Sequence, residues 1–155
     1  MKHYILKIGF LCAILSCSGM AHAQNLSRKQ EKYYQQEILK YINQYRANRN
    51  LSPLVLDENL NRIAFGHSED MSDGQVGFGH GGFDDRMAMA RRSNTQLRGF
   101  AENVAYGLQT PQEVSKDWYN SPGHKRNLLG NYVKTGIGVE RASDGYLYFT
   151  QIFER

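Results

Sequence analysis

Cysteine is almost missing from this chain. The two present, Cys12 and Cys17, lie close to the amino end in a stretch that reads as a leader, so the remainder has no thiol. That excludes a disulfide scaffold, a cysteine nucleophile and any cysteine-based zinc site, and it leaves the apolar core to hold the fold. Long apolar runs are missing too. The stretch from Ile8 to Ala21 falls short of the roughly 20 residues that span a bilayer, so no transmembrane segment is expected. There is little excess of one charge: Lys+Arg 19 stand against Asp+Glu 15, and Lys2 and Lys7 of the leader make up half of the difference. The basic residues are interspersed with acidic ones, and no nucleic-acid partner is expected. The chain has no H-E-x-x-H, no G-x-S-x-G and no G-x-x-x-x-G-K-[ST], and its acidic run SEDMSDGQ lacks the alternating oxygens of a calcium loop.

What is there begins with MKHYILKIGFLCAILSCSGMAHAQN, which has a basic start, an apolar middle and small residues at Ala21 and Ala23. This reads as a secretory signal peptide over residues 1–23, cut before Gln24, with lipid anchoring at Cys17 as the alternative. The expected product is a single exported domain over residues 24–155, periplasmic or extracellular.

Along that domain, Tyr34, Ile38, Leu39, Ile42 and Tyr45 recur at helical spacing between about Lys29 and Arg49, with Asn50 as a left-handed stop. Asp57 is placed to cap a second helix whose stripe runs Leu60, Ile63, Ala64, His67, Met71. Five glycines mark Gly74 to Asp84 as a loop, with a short helix around Asp85 to Arg91. GFAENVAYG reads as a strand. Thr110-Pro111-Gln112-Glu113 is a capping box with proline at the first helical position. Ser121-Pro122 repeats that hydroxyl-then-proline logic and predicts a short helix ending near Gly130. GIGVERA and YLYFTQIF, separated by Ser143-Asp144-Gly145, predict a terminal hairpin. The order gives an α+β arrangement, an antiparallel sheet covered by helices.

Four residues stand out chemically. His124 falls in the first turn of the short helix, where the helix dipole disfavours imidazolium and favours the neutral ring that accepts a proton or ligates a metal; packing of the helix start is the alternative role. His67, on the stripe of its helix, reads as a hydrogen-bonded core residue. His80, within GFGHGG, is either a ligand-shaped loop residue or loop filler. Glu102, an acid inside an apolar strand, must be paired or bound to a cation if buried, or else face solvent from an edge strand. His80, Glu102 and His124 together offer two nitrogens and a carboxylate, a donor set suited to zinc or a similar divalent cation.

These residues lie in segments that resemble the CAP superfamily, in its bacterial branch of SCP-like extracellular domains. The segments are INQYRANRNLSPLVLDENL, HSEDM followed by FGH, AENVAYG, WYNSPGHKRNLL, and GIGVER with YFTQIF. The resemblance covers roughly Glu37 to Phe153. It implies a three-layer α-β-α sandwich with a central, mostly antiparallel sheet, and a cleft where relatives hold two histidines and two acids that often bind zinc. His80 resembles the first histidine and Glu102, followed by Asn103, the first acid. Ser121 stands where the second acid usually lies and Tyr148 where the second histidine does, so His124 becomes the candidate for restoring a nitrogen. The leading reading is a monomeric binding module for a small ligand, lipid or peptide in that cleft, with a weakly held divalent cation. A metal-dependent hydrolase using the same cleft is the alternative, and a structural hydrogen-bond network among His80, Glu102 and His124 is a third.

Overall fold

Residues 25–155 are described by the computed structural model; the expected leader, residues 1–23, and Cys17 with it, lie outside the described residues. The first helix, α1, spans Arg28–Ala47. Ser27 and Gln30 close a reciprocal capping box at its start, and Asn50 follows its end at φ 56°, the left-handed stop the sequence predicts. Its buried stripe is Gln35, Ile38, Ile42 and Arg46, turned slightly from the expected one. Tyr45 lies at the border and stacks on Tyr119 at 4.2 Å.

Arg46 explains the turn of the stripe. It is 2% exposed and its guanidinium donates to the carbonyls of Ser52, Leu128, Gly130 and Tyr132, so one buried cation ties α1 to two later segments. Burial pulls its pKa down from the usual arginine value. A guanidinium that donates to several carbonyls holds its place in the core without a carboxylate.

β1, Val55–Leu56, carries no sequence signal, since two residues show no readable alternation. α2, Glu58–Ser72, is capped by Asp57, whose carboxylate accepts from the amides of Asn59 and Leu60. α3, Phe83–Ser93, is longer than predicted at both ends. β2, Phe100–Tyr106, and α4, Pro111–Asn120, form as read, α4 with the Thr110–Glu113 capping box intact. α5, Pro122–Leu128, also forms, but the hydroxyl of Ser121 makes no capping bond, contrary to expectation. Only its carbonyl takes part, accepting from Lys125 N–H at 2.8 Å. β3, Lys134–Arg141, and β4, Leu147–Glu154, are the hairpin, turned by Gly145 at φ 90° with Asp144 accepting from Tyr146 N–H.

The sheet order is β1-β3-β4-β2, with β1 parallel to β3 and the other pairs antiparallel. One face packs Ile137, Val139, Phe149 and Phe153 against α1, α4 and α5; the other packs Ile152 against Leu60, Ala64 and Ala90 of α2 and α3. This is the expected α+β fold in three layers. The approach of α2 is set by two glycines of β3. A Cβ on Gly136 would meet the Leu60 backbone at 2.1 Å, and one on Gly138 would meet Ala64 at 2.2 Å. Ser68 then bonds Gly138 O and Thr150 Oγ1 across the contact.

Because β1 is so short, β3 runs on past its partner. There the Ile137 N–H donates to Asn61 and the Ile137 carbonyl accepts from Gln35, so side chains take the place of a further strand.

Candidate functional site

β2 is an edge strand, and its alternating side chains serve two layers. Glu102 pairs in register with Ile152, and Tyr106 with Tyr148, so both lie on the α2–α3 face. Asn103 lies on the opposite face.

The Glu102 side chain is fully buried. Arg86, on the inner side of α3 one turn before Ala90, supplies the cation that such burial requires. Its Nε donates to Oε2 at 2.6 Å and Nη2 to Oε1 at 2.7 Å. The pair is bidentate and charge-assisted, the strongest common form of such a contact. The Nη1 of Arg86 donates to Gly81 O at 2.7 Å, and His67 Nε2 donates to Gly79 O at 2.8 Å. Two buried side chains therefore clamp the glycine-rich loop on either side of His80. The His80 ring donates from Nδ1 to Glu102 Oε1 at 2.9 Å, while its side chain remains 52% exposed. A buried carboxylate thus orients an accessible imidazole through Nδ1 and leaves its Nε2 without a hydrogen bond among the described residues.

On the other side of β2, Asn103 donates to the carbonyl of His124, and Asn127 Nδ2 donates to Asn103 Oδ1 and to the Glu102 carbonyl. These bonds fasten α5 to the edge of β2. The His124 ring is half-buried, with Nδ1 lacking a partner among the described residues. Burial holds its pKa below the usual histidine value; Asp117 offsets part of this and His80 adds to it. Burial does the same for His67, partly offset by its bond to Gly79.

His80 and the Glu102 side chain meet directly, while Asn103, on the other face of β2, bonds the backbone of His124 and the side chain of Asn127. His124's ring is not part of the Glu102 hydrogen bonding. Ser121 sits at the α4–α5 junction. Tyr148 stacks on Tyr106 at 5.5 Å, and Phe78 packs on Tyr106 at 4.7 Å, making an aromatic rim.

A divalent cation does not fit the three-residue ligand set read from the sequence. Both oxygens of Glu102 are already engaged, and among the described residues no group of three or more His, Cys, Asp or Glu is placed to hold a metal ion. The donors left are Nε2 of His80 and Nε2 of His124, with Glu102 in an outer, orienting position. Arg86, the clamp by His67 and the tether by Asn127 escape sequence reading. The one available signal is that a buried acid calls for a cation, and Arg86 shares the inner stripe of α3 with Ala90.

The model of the cysteine-rich secretory protein family, CAP, matches residues 39–153. The chain is 34% identical over 114 residues to the protein YkwD of Bacillus subtilis (strain 168), covering 71% of this chain and 44% of that one. Among solved structures, it is similar to an extracellular protein containing a SCP domain from Bacillus anthracis str. Ames (TM-score 0.68, 29% identity, 84% of this chain and 44% of that one). It also superposes on an outer surface protein of Borrelia burgdorferi (TM-score 0.73, 21% identity, 86% of this chain and 98% of that one). The chain spans less than half the length of the two Bacillus proteins.

Proposed function

Because this chain belongs to the cysteine-rich secretory protein (CAP) family, we propose that it is an exported binding module whose cleft, between the glycine-rich loop and α5, holds a small polar ligand on His80. The observation that carries this reading is the Arg86–Glu102–His80 chain. Glu102 is spent on orienting, and the half-exposed ring it orients lies two residues along the loop from Phe78, which packs on the stacked Tyr106 and Tyr148. Preorganised polar groups beside apolar walls are what small-molecule sites require. Export agrees with the leader expected at residues 1–23, and with relatives described as extracellular and outer surface proteins. Among the described residues no helix is long and apolar enough to cross a membrane.

A weakly held divalent cation belongs to this proposal, with Nε2 of His80 and Nε2 of His124 as its nitrogens. Such an ion would supply a Lewis-acidic point for an oxygen of the ligand. Hydrolysis through the same cleft is the weaker reading, because the Glu102 carboxylate has no exposed surface from which to take a proton from water and is paired with Arg86. The test is zinc titration and native mass spectrometry of the protein recovered from its exported pool. A copurified small ligand, and zinc affinity lowered in both His80→Ala and His124→Ala, are the expected results. Equal zinc affinity in wild type and both variants would remove the cation. Chelator-sensitive turnover lost in Glu102→Gln would overturn the binding reading in favour of hydrolysis.

A further inference from the structure

α2, α3 and the glycine-rich loop border a cavity of about 630 Å³, which has Gly81, Gly82 and Arg86 in its lining and not His80. That volume falls within the range of ligand sites, roughly 300–1,000 Å³. Its unpaired charges are sorted by position, Arg86 in the lining being committed to Glu102. Asp70 on α2 and Asp85 on α3 are at the ends of their helices nearest the loop; Arg62 on α2 and Arg92 on α3 lie further along the same helices. Among the described residues none of these four forms an ion pair, and Arg62 makes only a hydrogen bond to Asn59. Ile63 and Met89 supply apolar wall between the two ends, and Val76 adds to it beside Asp70.

We propose that this groove binds a short unblocked peptide, its ammonium at Asp70 and Asp85 and its carboxylate at Arg62 and Arg92. The helix sets the length. Eight residues separate Arg62 from Asp70, about 12 Å at 1.5 Å per residue, which an extended chain of about three or four residues covers. Opposite charges at the two ends select a zwitterion over a fatty acid or a polyamine, each of which has only one of the two charges.

The test uses trialanine and tetraalanine against the whole domain, followed by calorimetry and by amide chemical-shift changes. The free peptides are expected to shift resonances of α2 and α3, and either N-acetylation or C-amidation to weaken binding about tenfold, the usual value of one lost charge-assisted contact. Arg62→Ala with Arg92→Ala, both at exposed positions, should weaken the free peptide and leave the amidated one unchanged; His80→Ala should leave all of them unchanged. No binding at millimolar peptide overturns the proposal. So does equal binding of free and doubly blocked peptide, or loss of binding in His80→Ala, which would move the peptide to the cleft.

Discussion

Glu102 survives inside the protein because Arg86 matches it with two hydrogen bonds, and removing one partner strands the other. Arg86→Met should cost about 3–5 kcal/mol, the usual penalty for an unpaired buried charge, while Arg86→Met with Glu102→Gln should recover much of it. Urea denaturation of both variants checks the cycle; equal losses would mean that the pair does not act as a unit. His67 and His124 add a dependence on pH. Burial lowers both pKa values in the folded state, so the unfolded chain takes up protons that the folded chain refuses. Their contribution is complete above the unfolded value of about 6.5 and is lost as pH falls below it. The urea midpoint should therefore drop between about pH 7.5 and 5.5, and drop less in His67→Gln with His124→Gln. At this scale the sequence is half readable. Chemistry makes a buried acid or a loop histidine conspicuous, but the partner that stabilises Glu102 lies 16 residues away on an ordinary-looking helix.

Local elements are the most legible part of the chain, since capping boxes, proline at the first turn and the Ser143-Asp144-Gly145 turn are decided by neighbours in sequence. β1 is not, because a two-residue strand exists only through its pairing with Lys134 and Thr135. The missing Ser121 cap has the same lesson in reverse, as a good local signal is left unused where α4 runs straight into α5. The glycines of GIGVER read as strand residues, and their purpose is the contact with α2. Gly138→Ala would place a methyl 2.2 Å from the Ala64 backbone and push α2 off the sheet. A loss of about 1–3 kcal/mol is expected, as for other overpacked cores. A thermal melt unchanged from wild type would show that the helix yields freely.

At the scale of the whole molecule, the layer order follows from amphipathic stripes and strand alternation, and the family resemblance supplies the α-β-α stacking. The long-range ties stay hidden. Nothing in INQYRANRN announces that Arg46 will reach Leu128, Gly130 and Tyr132, because these acceptors are backbone carbonyls brought near only by folding. Through that guanidinium, the helix carrying His124 is positioned by the end of α1.

The part of β3 that runs on past β1 is a buried strand edge, and once local opening bares it two copies of this protein would zip together there, since exposed strand edges are templates for fibril growth. The amide of Asn61 and that of Gln35 occupy the hydrogen-bonding positions of Ile137 that an incoming strand would need. They act as a chemical stopper against self-templating, in a chain whose described part has no cysteine to staple it. Gln35→Ala with Asn61→Ala should therefore show thioflavin-positive, concentration-dependent polymer under mild heating, where the wild type stays clear by light scattering.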